Sequence, residues 1–170
     1  MDTPAALAFL EAHQPMPDDA DLDEGLIGEY DDVRRHFLQN LDERCIPLFL
    51  NSFGSGDGFG VYPLIEDVLA QFPPEKVVPH LAAALQSSHQ SVRYWSAQIA
   101  AIFPDQELVS PLGRLLIDEE FDVRYAAVTA LGQICSVESR IILSEHQQHE
   151  AEAEIADLID DILSENADDE

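Results

Sequence analysis

Few residues in this chain are of a type and spacing that could do chemistry. Residues 54–60 read GSGDGFG, four glycines in seven positions ahead of an apolar helical pattern. A glycine-rich turn before a helix can wrap backbone N–H groups around a phosphate, because Gly adopts backbone angles that other residues avoid. That chemistry needs a following Lys and a Ser or Thr for magnesium. Here the turn carries Asp57, and Glu66 and Asp67 follow, all of the wrong sign for an anion. Two readings stay open: a tight, purely structural connection, or a rigid turn that presents Asp57 and Phe59 to a protein partner. His146 and His149 lie three apart between Glu145 and Glu150, a spacing that can bind metal on a helix. In so polar a run the histidines are expected to be solvated, and no metal is assigned. Carboxylates are too numerous to single out an acid–base couple. No Ser-His-Asp or Cys-His order stands out, and Cys45 and Cys135 sit in apolar helical patterns where Cys acts as a small hydrophobe. No catalytic, cofactor-binding or metal residue is therefore expected, and the chain reads as a non-enzyme.

Charge narrows the partners. Asp and Glu number 34 against 8 Lys and Arg, a formal net charge of −26. Such a chain is repelled by nucleic-acid phosphates and by anionic membrane surfaces. The predicted partner is a basic protein; the bland alternative is that the charge only keeps the chain soluble. With no basic apolar leader and no apolar run long enough to span a bilayer, the expectation is a cytoplasmic protein, monomeric when free. Apolar residues make up 46% of the 170, enough for a folded core without disulfides.

The elements that must position these residues repeat. Residues 121–134 read FDVRYAAVTALGQI, and residues 91–103 read SVRYWSAQIAAIF, 31 positions earlier. The same shift aligns Val61, Val92 and Val123, then Leu50, Leu81 and Leu112, then Phe72, Phe103 and Ile134. A fixed period of this length marks a helical repeat whose units bury their apolar faces by stacking. The spacing predicts four helix pairs, roughly 45–72, 76–103, 107–135 and 138–165. Ser91 and Asp122 read as N-caps of second helices, and Pro47, Pro79 and Pro111 as near the starts of first helices. Residues 1–44 are predicted to form an irregular N-terminal cap. In it a helix over 3–13 opens with Thr3 as N-cap and Pro4 at the first helical position. An acidic loop follows over 14–32, part of which docks through Leu22, Leu26 and Ile27. Asp32-Val33-Arg34 repeats the motif of Asp122-Val123-Arg124 and reads as the start of a second helix. A C-terminal helix over about 144–165 is acidic on its outer face, and residues 167–170 are expected to be disordered.

The pattern LxxLL, an acidic turn, then VRxxAxxALGxI resembles a HEAT repeat. Leu112, Leu115, Leu116, Asp122, Val123, Arg124, Ala127, Ala130, Leu131, Gly132 and Ile134 carry it. The short period is similar to the HEAT-like repeats of phycobilin lyases and of many bacterial proteins. The resemblance is specific over 76–135, fair over 45–75, where Tyr62 replaces the Arg, and weak over 138–165. It implies an all-α, right-handed α-solenoid of antiparallel helix pairs. About four pairs are regular over a single domain of residues 1–166, with 45–135 as the repeats and 138–165 as a capping pair. Second helices are then expected to line a concave face. On that register Arg93 and Arg124 are expected to pair with turn carboxylates of a neighbouring repeat. Asp57, Phe59, Tyr62, Glu66, Asp67, Tyr94, Gln98, Tyr125 and Thr129 are the candidate partner-binding residues. The leading functional expectation is an acidic inhibitor or immunity-type protein that caps a basic partner such as a toxin. The alternative is a HEAT adaptor or assembly factor akin to phycobilin-lyase accessory chains. An enzyme on this scaffold, such as the alkylpurine glycosylases, needs a basic groove that eight basic residues spread along the chain do not provide.

Overall fold

A computed structural model describes residues 1–165, so the tail predicted for 167–170 lies outside the described residues. The regular elements among the described residues are all helical. The chain divides into two compact units, Met1–Ser96 and Ala97–Glu170.

In the first unit α1 (Thr3–Ala12) packs on α2 (Glu24–Gln39) and α3 (Cys45–Leu50); α2 packs on α4 (Ile65–Leu69), and α3 on α5 (Pro74–Ala84). Asp2, not Thr3, caps α1, its Oδ1 accepting the Ala5 N–H at 2.9 Å. Thr3 is helical instead, Pro4 follows it, and the Thr3 hydroxyl meets His36 Nε2 at 3.0 Å. The predicted acidic loop is shorter than 14–32, because Asp23 accepts the Leu26 N–H and starts α2 at Glu24. From there Ile27, Tyr30, Val33 and Phe37 recur at helical spacing and are buried. Asp32-Val33-Arg34 therefore falls in mid-helix, and Arg34 closes an i,i+3 pair with Asp31 at 2.7 Å rather than opening a helix.

The core of this unit is aromatic. Tyr30 meets Phe49 and Tyr62 edge-on at 5.9 and 5.8 Å. Tyr62 continues to Phe53 at 5.5 Å and to Trp95 at 6.0 Å. Such edge-to-face contacts add to burial in fixing side-chain positions. A polar thread runs through the cluster: the Tyr30 hydroxyl and Ser52 Oγ lie 2.7 Å apart, and Ser52 Oγ donates to the Phe49 carbonyl. Burial pushes the Tyr30 phenol well above its usual range, so it stays neutral. Cys45 is a core thiol, as its apolar pattern predicts, and burial raises it to about 12.

Helix α6 (Gln90–Ala100) begins in the first unit. It opens at Gln90, so Ser91 is not its cap; the Ser91 hydroxyl donates to the Phe53 carbonyl at 2.7 Å. Pro79 is also displaced from expectation, lying inside α5 while Pro74 occupies its start.

In the second unit α8 (Phe121–Ile134) packs on α7 (Val109–Leu115), α9 (Val137–Gln147) and α10 (Ala153–Glu165). Ala126, Ala127 and Ala130 are buried along it, and small side chains let neighbouring backbones approach. At Gly132 a Cβ would lie 2.8 Å from Ile162, so the glycine sits where α10 comes closest. Helix α8 also opens one residue before its expected cap, at Phe121, and Glu120 precedes it without a side-chain bond. It ends because Cys135 turns left-handed (φ 51°) and Ser136 forms a capping box with Ser139 at the start of α9. Cys135 is thus an exposed C-cap residue and not the core residue its pattern suggests; its Sγ lies 3.0 Å from the Gly132 carbonyl. The helix expected over 144–165 breaks at residues 148–152, where Glu150 accepts the Glu152 N–H and meets His146 at 2.8 Å.

The repeated arginines serve the turns of their own repeats, and Arg124 also reaches a turn carboxylate of the next repeat, as its register predicts. Arg93 donates to the carbonyls of Ser87 and Ser88, and Arg124, 31 positions on, to those of Asp118 and Glu119. Each guanidinium satisfies carbonyls of the turn inside its own repeat, where the preceding helix leaves acceptors without partners. Arg124 also lies 3.4 Å from the buried Glu150 carboxylate.

Candidate protein-binding site

The first helix pair departs most from its copies. Helix α3 is six residues long and is followed by an irregular stretch over 51–61 before a short turn of 3₁₀ helix, Tyr62–Leu64, leads into α4. This stretch contains GSGDGFG, and three separate elements of the first unit hold it. The segment 14–22 runs beside it: Met16 N–H donates to Ser52 O at 2.8 Å and Asp19 N–H to Ser55 O at 2.9 Å. From α6, Ser91 reaches Phe53 O and the Trp95 indole N–H reaches Gly56 O at 3.1 Å. From below, the Tyr62 hydroxyl accepts the Gly54 N–H at 3.2 Å. Carboxylates complete the set: Asp18 accepts from Ser55 N–H, and Asp19 accepts from Asp57 N–H and Gly58 N–H at 3.0 and 3.1 Å.

Glycine is required where the path turns left-handed against a ring. Gly58 has φ 59°, and a Cβ there would lie 2.7 Å from Tyr62. The residue after it, Phe59, adopts φ 50° despite its bulk and remains 59% exposed. A bulky residue in the left-handed region is a genuine outlier and is held only by its surroundings. Here Asp57 supplies part of the hold, its Oδ1 and its carbonyl both accepting the Gly60 N–H at 3.1 Å.

Helix α4 follows directly. Leu64 is 40% exposed, Asp67 is exposed and Glu66 is half-buried. Burial, with the like charge of Asp67 adding to it, raises the Glu66 carboxyl above its usual range. Among the described residues no cation faces it. Most carboxylates half-taken from water have a donor or a cation in return; Glu66 has neither.

The candidate partner-binding residues divide accordingly. Asp57, Phe59, Glu66 and Asp67 stand on one short segment of the first unit, the first two on the loop and the others on α4. Tyr62 is a correction: it is fully buried, at the centre of the aromatic core, and its phenol is pushed up to about 12 by burial. It replaces the repeat arginine because the glycine loop offers a buried N–H where the other repeats offer carbonyls. Tyr94 is half-buried and sits edge-on to Trp95 at 5.1 Å, and Trp95 itself is core. Gln98, Tyr125 and Thr129 belong to the second unit; Tyr125 lies 5.9 Å from the Phe121 ring, and Thr129 Oγ1 donates back to the Tyr125 carbonyl. The residues that sequence reasoning missed are Asp18, Asp19 and Leu64. The signal for Asp18 and Asp19 was an acidic segment with the apolar Leu22 inside it, which marks docking without saying where; Leu64 carried no signal of its own.

His146 is engaged with Glu150, and among the described residues no group of three or more His, Cys, Asp or Glu could hold a metal ion. No helix among them is long and apolar enough to cross a membrane.

The helix–turn–helix units with an internal Arg clamp at a period of 31 define an α-solenoid of HEAT-like repeats. Residues 78–159, just under half of the chain, match the family model described as HEAT repeats. Among solved structures, a chain of the S. pombe condensin Cnd3-Cnd2 subcomplex is similar, with 20% identity and a TM-score of 0.52. The likeness covers 91% of this chain but only 23% of that one, and at this identity it speaks for the fold alone. No curated protein matches the sequence.

Proposed function

We propose that this chain is a non-catalytic protein-binding module that docks a basic protein through the segment 57–67. The observation that carries this is Glu66. A half-buried carboxylate beside a second acid, with no cation of its own, costs folding free energy that a Lys or Arg from a partner would recover. Phe59, held exposed in a left-handed conformation, supplies the aromatic anchor that interface hot spots favour. Asp57 and Asp67 would flank the anchor with charge, and the net charge of −26 would steer a cationic partner toward the chain. An inhibitor or immunity-type role, capping a basic toxin, is the specific form of this reading that the charge supports best. A HEAT adaptor with an apolar groove is the competing form, and it predicts binding that salt leaves intact.

The test is affinity capture with the wild-type chain and with a Phe59→Ala/Glu66→Gln/Asp67→Asn variant, at low and at high salt. Capture of a basic protein that is weakened by salt and lost in the variant is the expected result. A captured partner that the variant still holds, or that salt does not release, overturns the proposal.

A further inference from the structure

The glycine loop that looked wrong for an anion holds one. The N–H groups of Asp57 and Gly58 converge on the two oxygens of a single carboxylate, Asp19, at 3.0 and 3.1 Å. Consecutive N–H groups turned to one side by a positive φ form an anion-binding concavity, the arrangement a phosphate loop uses. The carboxylate is seated deeply enough that a Cβ on Gly56, itself at φ 102°, would collide with it. The ligand comes from 38 residues away in sequence and is carried by a segment that pairs with the loop at Met16–Ser52 and Asp19–Ser55.

We infer that the loop is a carboxylate receptor whose ligand is built into the chain, so that Asp19 is the positioning residue for the Phe59 surface. Three consequences follow from the geometry. First, the seat is filled, so free phosphate or an acidic peptide finds no vacancy there. Secondly, the left-handed turn over Gly58 and Phe59 owes its order to a charge-assisted pair of bonds, which Asp18 cannot replace because it reaches only the Ser55 N–H. Thirdly, the segment 14–22 acts as a latch: while Asp19 is seated, Phe59 is displayed; once it leaves, the strained turn has no reason to persist. The inference about display rests on the docking reading above, but the seat itself does not.

The experiment uses the full chain and amide hydrogen exchange read by NMR, in the wild type and in Asp19→Ala, Asp19→Asn and Asp18→Ala. Asp19→Ala should speed exchange at the Asp57 and Gly58 amides by at least about tenfold, the change one charge-assisted bond supports. Amides of Val33 and Phe37 in α2 should be unaffected, which establishes that the unit is folded. Asp19→Asn, which keeps the shape and loses the charge, should fall between, and Asp18→Ala should leave both amides protected. Formate added to Asp19→Ala should restore protection by occupying the vacated seat. Wild-type protection in Asp19→Ala, or no response to formate, overturns the inference. Because exchange is read without any partner, these outcomes are separate from the fate of the docking proposal, which a captured protein decides.

Discussion

Gly54 is where the loop lies against the backbone of the segment 14–22, and the cost of filling that space can be worked out. A Cβ at Gly54 would strike the Pro17 carbonyl oxygen, lie 2.7 Å from the Met16 carbonyl oxygen and 2.9 Å from the Pro17 carbonyl carbon. Non-bonded carbon and oxygen atoms rest at about 3.5 Å, and these obstacles are backbone, not the free end of a side chain. Gly54→Ala must therefore push the segment outward. The bonds that flank the contact are Met16 N–H to Ser52 O and Asp19 N–H to Ser55 O, each worth about 1 kcal/mol net. Displacement also loosens the Asp18 and Asp19 carboxylates from Ser55, Asp57 and Gly58, bonds of about 1.5 kcal/mol or more apiece. Partial loss of the set amounts to about 3 kcal/mol, a fall of about 6–12 °C in Tm for a chain of this size. Trp95 is the sole tryptophan and its indole binds Gly56 O, so its fluorescence in urea follows this unit directly. Two other glycines separate space from torsion. At Gly60 a Cβ meets nothing but φ is +85°, so Gly60→Ala should cost about 1 kcal/mol from torsion alone. At Gly28, in the middle of α2, a Cβ also meets nothing, and Gly28→Ala should gain about 0.5–1 kcal/mol of helix propensity. A Gly54→Ala protein as stable as Gly60→Ala would refute the steric argument.

The remaining expectations concern charges. Burial alone would push the Glu150 carboxyl up, but the Glu152 N–H, His146 and Arg124 together outweigh it and hold it below the ordinary value of 4.5. Its stabilising contribution is therefore full above that value and drains away as pH falls through the lower folded value; Glu150→Gln should lose this acid-side slope in urea midpoints taken from about pH 6 to pH 3. Arg124→Met strands the buried Glu150 carboxylate and the carbonyls of Asp118 and Glu119, at a cost of about 2–4 kcal/mol in urea unfolding. A change below about 0.5 kcal/mol would mean that the guanidinium is a surface ornament. Glu66 has the opposite sign. Its folded value is raised, so its charged form costs stability at neutral pH, and Glu66→Gln should unfold at higher urea than wild type at pH 7, with the gap closing in acid.

The repeat was legible because it is local physics written three times. Val92 and Val123 are buried and Val61 is half-buried, and the turn before Arg93 or Arg124 must end one helix and begin another, so a fixed spacing betrays them. Helix starts were less legible by one residue, since Ser91 and Asp122 look like caps but one is spent on Phe53 O and the other lies within the first turn of α8. Two failures have a common cause. Tyr62 read as a surface residue because its register position elsewhere holds a solvent-edge arginine, yet it serves a buried N–H that only a glycine loop creates. Asp18 and Asp19 read only as part of an acidic loop, yet their partners lie 37 and 38 residues on. A period of 31 predicts what the repeats share. It is silent on contacts that exist only where a repeat breaks its pattern.

The acidic residues, seen this way, are not one population. Asp2, Asp23 and Asp105 cap helices or turns, Asp31 and Glu150 take arginines, and Asp19 fills the glycine seat; each is satisfied within its own fold unit. Net charge alone cannot separate a solubilising coat from a binding surface, because both consist of carboxylates in water. Desolvation can. A coat residue stays hydrated, whereas Glu66 has given up part of its hydration beside Asp67 and, among the described residues, has no hydrogen-bond or ionic partner in return. Folding tolerates such a residue at a site whose return comes from elsewhere. The same segment carries the one exposed aromatic ring held in a left-handed turn among the described residues, and a carboxylate from a distant segment is committed to keeping that turn in place. Stability lost at Glu66, strain held at Phe59 and an anchor spent at Asp19 all converge on residues 57–67. The docking proposal gives all three a common cause.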